Sequence, residues 1–286
     1  NVRRHTMSVA PRLETVTNEP LLWSSKLPVV DSTSNKYSRG HAVIFGGYPM
    51  TGAARLAARS CARMGAGLTT ILVEPQALDV YAKHLESIMV RPIEDVNDVR
   101  QFLSDSRITA VLIGPGFGVG RRTREFVTTV LESRKPTVLD ADALTSFAES
   151  PSALFGLLSD NCVLTPHEGE FARLFTMEGS RIERVRSAAE TSGAIVLLKG
   201  AETVIAHPDG TVVQNAQASP HLATAGSGDV LAGLIVGLLA QGMAPLDAAS
   251  AGVWVHSEIG RMLDVGLIAD DMPDCVPAIR KRLAAI

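Results

Sequence analysis

The sequence predicts an α/β protein, a three-layer α/β/α sandwich around a mostly parallel central sheet with an antiparallel hairpin near one edge. Three observations carry this. Short apolar runs rich in branched side chains recur at residues 41–45, 68–73, 108–113, 137–139, 162–164 and 194–198, as strands buried on both faces require. Helical stretches separate most of them, the signature of right-handed βαβ units. Late in the chain, residues 203–206 and 211–213 flank His207-Pro208-Asp209-Gly210, an Asp-Gly turn that joins antiparallel strands.

Residues 1–28 mix charge, threonine and proline without a period, and the chain starts at Asn. They are read as an irregular N-terminal segment or linker remnant ahead of one domain over residues 29–286. The first strand, 41–45, feeds a helix of small residues over 53–64. Further helices are expected at 122–133 and 182–191. After the hairpin comes Ala225-Gly226-Ser227-Gly228-Asp229, opening a helix that carries almost no polar side chain, then helices at 245–262 and 273–283.

Composition narrows the function. The chain has 286 residues, 46% hydrophobic and 20% charged, with a net charge of -3. No basic field serves nucleic acid or anionic lipid, so neither is an expected partner. The longest apolar stretch, 230–240, is too short for a membrane span and is interrupted by glycine, so it reads as a core helix. Cys61, Cys162 and Cys275 are odd in number and widely spaced, which argues for reduced thiols in a cytoplasmic protein.

Chemistry is expected beyond the carboxyl ends of the strands, where open α/β sheets bind ligands. Gly226, Ser227 and Gly228 lead into a helix start, where free N–H groups and the helix dipole favour a phosphate or oxyanion. Asp229 would be repelled by that anion, so its place in the first turn suggests a base for a hydroxyl; the plainer account is an N-cap. After the first strand, Gly46-Gly47-Tyr48-Pro49-Met50-Thr51-Gly52-Ala53 is either an open ligand loop or a tight turn. Gly114-Pro115-Gly116-Phe117-Gly118 again brings main chain close to a ligand, and its spacing is wrong for a dinucleotide fingerprint. Asp140 and Asp142 stand at a strand exit, the second suited to capping. His167 and Glu170 share one helix face and suit substrate and hydrated metal, or else backbone capping. Lys199-Gly200-Ala201-Glu202-Thr203 offers an ammonium and open backbone to a nucleotide's phosphates, with a solvated turn as the competing account. P-loop, nucleophile-elbow, zinc-helix and Cys-x-x-Cys motifs are absent. His256, in an apolar helix, reads as a satisfied core histidine.

Taken together and in order, these loops resemble the ADP/ATP-dependent NAD(P)H-hydrate dehydratases of the ribokinase-like superfamily. The resemblance runs from Lys36-Tyr37-Ser38-Arg39-Gly40-His41 through Leu139-Asp140-Ala141-Asp142, Thr165-Pro166-His167-Glu168-Gly169-Glu170 and Leu198-Lys199-Gly200 to Gly226-Ser227-Gly228-Asp229. It implies that Asp229 is the base and Gly226 to Gly228 the anion hole. Ala53, Gly116, Gly118, Asp140, His167 and Asp229 would line the hydrate site. Lys199, Gly200, Ala201, Glu202, Thr203 and Gly228 would hold ADP or ATP, the phosphate donor, and Glu170 would serve magnesium through water. It implies also a homo-oligomer such as a tetramer, and an epimerase domain in front of many bacterial members. Ser227 stands where many members have threonine, and Tyr48-Pro49-Met50 departs from their usual Gly-Ser opening. The bacterial look of the sequence favours ADP. A small-molecule kinase of the superfamily and a catalytically silent nucleotide-binding regulator are the rival readings.

Overall fold

The computed structural model describes residues 14–216 and 218–285. Its strands are β1 (Thr15–Thr17), β2 (His41–Phe45), β3 (Leu68–Val73), β4 (Met89–Pro92), β5 (Ala110–Ile113), β6 (Thr137–Leu139), β7 (Cys162–Leu164), β8 (Ile195–Leu198), β9 (Val204–Ala206) and β10 (Val212–Gln214). Its helices are α1 (Thr51–Met64), α2 (Leu78–Ala82), α3 (Val96–Leu103), α4 (Arg121–Glu132), α5 (Asp142–Thr145), α6 (Pro151–Phe155), α7 (Glu168–Leu174), α8 (Arg181–Ser192), α9 (Ser227–Ala240), α10 (Pro245–Leu263) and α11 (Met272–Leu283).

All ten strands share one sheet in the order β1-β10-β9-β8-β7-β6-β5-β2-β3-β4. Every neighbouring pair is parallel except the two that involve β9. The antiparallel hairpin expected around Asp209-Gly210 is β9–β10, with Ile205 opposite Val213. Because side chains alternate across a strand, each apolar run feeds two cores. On β2, Ala42 and Ile44 join the core under α1, α9, α10 and α11. Val43 and Phe45 point the other way, into the core under α3, α4, α7 and α8. This is why the strands carry apolar residues at every position rather than at alternate ones.

Two strands differ from the sequence expectation. β4 is an edge strand with three exposed residues and a terminal proline, and an edge needs no apolar face. β1 has three exposed residues and pairs in parallel with β10, so Thr15–Thr17 are built into the sheet although residues 14–28 show no period in sequence. Trp23 anchors them: its side chain is fully buried and meets Trp254 edge-on at 5.7 Å. The rest of the segment read as a linker remnant lies outside the described residues.

Helix α9 is buried from Val230 to Ala240, between the sheet and α1 and α10. Glycine makes the approach possible, because a Cβ on Gly233 would stand 2.2 Å from the Ala57 carbonyl oxygen of α1. Gly233→Val is therefore expected to lower stability by about 3 kcal/mol, the upper range for overpacking, read as a fall in Tm by calorimetry; an unchanged Tm would refute this packing account. Among the described residues no helix is long and apolar enough to cross a membrane.

Strand order reverses between β2 and β5, since the chain runs outward through β3 and β4 before returning to β5 on the other side of β2. Open α/β sheets bind ligands at such a reversal, beyond the carboxyl ends of the strands.

Candidate active site

The loops after β2, β5, β6, β7 and β8 meet the start of α9 at this edge of the sheet. Gly47 is pressed against Gly116, where a Cβ would overlap the Gly116 carbonyl, and Gly116 in turn lies against Met50 and Ala53. Phe117 sits on Phe45 and Phe126, fixing the β5 loop to the core, while the Gly118 N–H donates to Asp142 Oδ2 at 2.8 Å. Ala53 and Gly116 thus lie in contact, with Gly118 two residues on in the same loop. Asp142 has a role beyond opening α5, for it sets the backbone of Gly118.

At the start of α9, Gly226 is left-handed at φ 86 and packs against Leu56 and Ala269. A side chain there would meet both strain and a collision. No side chain caps the helix; Ser227 N donates to Thr224 O at 3.3 Å, and the N–H groups of Gly228 and Asp229, with the dipole, face an anion. Asp229 is therefore not the N-cap. It sits in the first turn, and burial, then repulsion from Asp140 and Asp142, pushes its carboxyl up to about 7 against the pull of Lys199. A carboxylate poised near neutrality is suited to accept and return a proton.

Ser227 is buried, and its N–H donates to Thr224 O at 3.3 Å. Its hydroxyl turns inward to His256, with Nε2 at 2.9 Å from Ser227 Oγ and 3.0 Å from Ser227 O. Burial drives the His256 imidazole down to about 4, so it is neutral at physiological pH. The sequence reading of a satisfied histidine holds, and the partner it satisfies belongs to the anion loop. Nothing in the local sequence of either residue announced the pair.

Lys199 stands beside the same helix start, its Nζ 3.5 Å from where a Gly228 Cβ would lie. It donates to Asp140 Oδ1 at 2.7 Å. Burial opposes its charge, but Asp140, Glu170 and Asp229 more than offset this, and its pKa is raised. Asp140 is only 2% exposed and its Oδ1 is held by the ammonium. Asp140 is thus the buried counter-charge of Lys199.

His167 and Glu170 form a capping box at the start of α7. Nδ1 of His167 accepts from the N–H groups of Gly169 and Glu170 at 3.0 and 3.2 Å, and Glu170 Oε2 accepts from the His167 N–H at 2.9 Å. With Nδ1 an acceptor, the ring proton sits on Nε2, 3.4 Å from Glu170 Oε1. The capping account is thus satisfied locally, and the ring, 56% exposed, still faces outward. Burial, with Asp140 adding to it, raises the Glu170 carboxyl against Lys199.

Residues 199–203 are held by their carbonyls. Arg181 donates to Leu198 O and Lys199 O at 3.0 and 2.8 Å, Ala218 N to Ala201 O at 2.8 Å, and Asn215 N to Thr203 O at 2.9 Å. Glu202 is exposed and accepts from Gln214 Nε2 at 3.3 Å. Arg181 was missed from sequence because it lies on α8, far from any strand exit.

A magnesium ion keeps most of its waters and takes one or two carboxylates with phosphate oxygens. Among the described residues no cluster of three or more acidic, histidine or cysteine side chains could grip a metal directly. Glu170 Oε1, which makes only the 3.4 Å approach to His167, fits an ion carried by a nucleotide and reached through water.

Comparison with known proteins agrees with this geometry. The NAD(P)H-hydrate dehydratase family profile matches residues 41–271. The bifunctional NAD(P)H-hydrate repair enzyme of Coxiella burnetii is 35% identical over 246 residues, 83% of this chain and 49% of that protein; the chain spans about half the length of such bifunctional relatives. The ADP-dependent (S)-NAD(P)H-hydrate dehydratase of Neisseria meningitidis serogroup B is 33% identical over 259 residues, 85% of each. A crystal structure of the Bacillus subtilis ADP/ATP-dependent NAD(P)H-hydrate dehydratase, co-crystallised with ATP and Mg2+, superposes with a TM-score of 0.80 at 26% identity, covering 95% of this chain and 99% of that one. The fold is ribokinase-like. By its matched core and its shared architecture, the chain belongs to the NAD(P)H-hydrate dehydratase family.

Proposed function

We propose that the chain dehydrates the S form of hydrated NADH or NADPH back to the reduced cofactor, with ADP as the preferred phosphate donor and ATP as the other. Support for this reading rests on one observation above all. Asp229 stands in the first turn of the uncapped α9, beside Lys199, with its carboxyl raised to about 7.

In this mechanism the Asp229 carboxylate takes the proton from the hydroxyl on the reduced nicotinamide ring as that oxygen attacks the terminal phosphorus of the nucleotide. The bond from phosphorus to the bridging oxygen breaks, leaving AMP when ADP is the donor. Negative charge on the transferring phosphoryl meets the N–H groups of Gly226 and Gly228, which flank Ser227, and the Lys199 ammonium. Hydroxide is a poor leaving group and phosphate a good one, so the ring nitrogen's lone pair can then expel it. Loss of a proton from the adjacent ring carbon restores the double bond. Ala53, Gly116, Gly118, Asp140, His167 and Asp229 would line the hydrate, and Lys199 to Thr203 with Gly228 would hold the nucleotide. Magnesium, held by Glu170 through water, would supply charge neutralisation on the phosphates. The name of the Neisseria relative supports ADP, that of the Bacillus protein both donors.

The test is purified protein on hydrated NADH with ADP and, separately, with ATP. Recovery of reduced-nicotinamide absorbance with one phosphate released per molecule is expected, faster with ADP. Accumulation of a stable phosphorylated product without free phosphate would instead make the chain a kinase.

A further inference from the structure

A buried amide network reaches from the N-terminal strand to the loop assigned above to the nucleotide. Asn18 and Asn215, 197 residues apart, are each 3% exposed. Asn18 Nδ2 donates to Asn215 Oδ1 and to Ser250 O, both at 2.8 Å, and Asn18 Oδ1 accepts from Trp23 Nε1 at 3.0 Å. Asn215 Nδ2 donates to Ala216 O and to Ser257 Oγ, both at 2.9 Å. The side-chain N–H groups and carbonyl oxygens of both amides are used, which fixes their orientation. The backbone adds two more ties. Asn18 N donates to Gln214 O at 2.8 Å, and Asn215 N donates to Thr203 O at 2.9 Å.

Burying two side-chain amides between the sheet edge and α10 costs stability unless every group is paired. Apolar residues of similar size would fill the same space without that demand. What the amides supply is direction: they lock residues 215–216 at one height, and with Ala218 N on Ala201 O this clamps the carbonyl side of residues 201–203. Ser257 follows His256, whose ring holds Ser227 of the anion loop, so the network ends against the same helix that braces the phosphate end.

We infer that Asn18 and Asn215 are positioning residues for the nucleotide loop, and that the strand Thr15–Thr17 with its Trp23 anchor is a working part of the nucleotide site. The inference rests on the proposed nucleotide role of residues 199–203. Neither residue touches the nucleotide; each acts through the backbone of residues 201–203.

The test is ADP affinity by calorimetry and the split between KM and kcat in the full chain, for wild type, Asn18→Ala, Asn215→Ala, the double variant and Trp23→Phe. A core variant on the opposite face, Val130→Ala, serves as the stability control. Asn18→Ala removes three buried hydrogen bonds, of which the one to Asn215 leads to the loop, and is expected to weaken ADP binding and raise its KM roughly tenfold, with kcat changed less than about threefold. The double variant should be little worse than either single one, because the two act as one unit. Trp23→Phe keeps an aromatic side chain but loses the indole N–H and part of the buried volume, and is expected to weaken ADP binding by about threefold, which keeps the inference open to refutation should Asn18→Ala fail to fold. Val130→Ala should lower Tm without moving ADP affinity. Wild-type ADP affinity in Asn18→Ala or in Trp23→Phe overturns the inference alone; wild-type protein that binds neither ADP nor ATP overturns it together with the functional reading.

Discussion

Asp229→Asn is expected to lower turnover by roughly two to four orders of magnitude, the usual scale for removing a general base, while ADP still binds. Asparagine matches the size of aspartate and leaves the uncapped start of α9 unaltered, so only the proton acceptor is lost. The pH profile separates this from a packing defect. Because the base works only when ionised, kcat/KM in the native chain should climb through an apparent pKa of about 7 and level off above it. The residual activity of Asp229→Asn should lack that limb.

Stability should move in the opposite sense. The folded chain holds the Asp229 proton more tightly than the unfolded chain does, so between the ordinary aspartate range and about 7 folding binds a proton and stability falls as pH rises. Asp229→Asn removes that loss and should raise Tm at pH 8 while leaving it unchanged at pH 4. Equal activity in native and variant chains, or a Tm rise independent of pH, would remove Asp229 as the base.

Lys199→Met should produce the second large effect, on stability and on binding together. Removing the ammonium leaves the Asp140 carboxylate, 2% exposed, without its partner, which costs about 3 kcal/mol. The phosphate loses a charge-assisted contact as well, worth about ten- to a hundredfold in nucleotide affinity. The double variant Lys199→Met with Asp140→Asn removes the orphaned charge. It should recover most of the lost stability, read by denaturant unfolding, and none of the lost affinity. Recovery of both would mean that Lys199 serves the fold alone.

The strands of the sheet centre were legible because burial on both faces demands an unbroken apolar run, as in Ala110–Ile113 and Ile195–Leu198. β1 and β4 were not, since exposed edges impose no such pattern. α5, α6 and α7, of four to seven residues, are too short to display a helical period. Within the candidate site, position alone singles out the residues directly after a strand and at the start of α9. His256, Arg181 and the pairing of Asn18 with Asn215 could not, because each acts across the fold on a residue distant in sequence.

By itself the sequence determined which chemistry this protein carries: a glycine-rich helix start with an aspartate, a lysine after one strand, a histidine and glutamate after another. Those depend on local spacing and residue type, which a chain states directly. Only the tertiary structure decided how these groups act on one another. Lys199 and Asp140 lie 59 residues apart, and it is their burial beside Asp229 that brings three carboxylates and one ammonium into a medium of low dielectric. There repulsion and desolvation, not composition, set which acid keeps its proton.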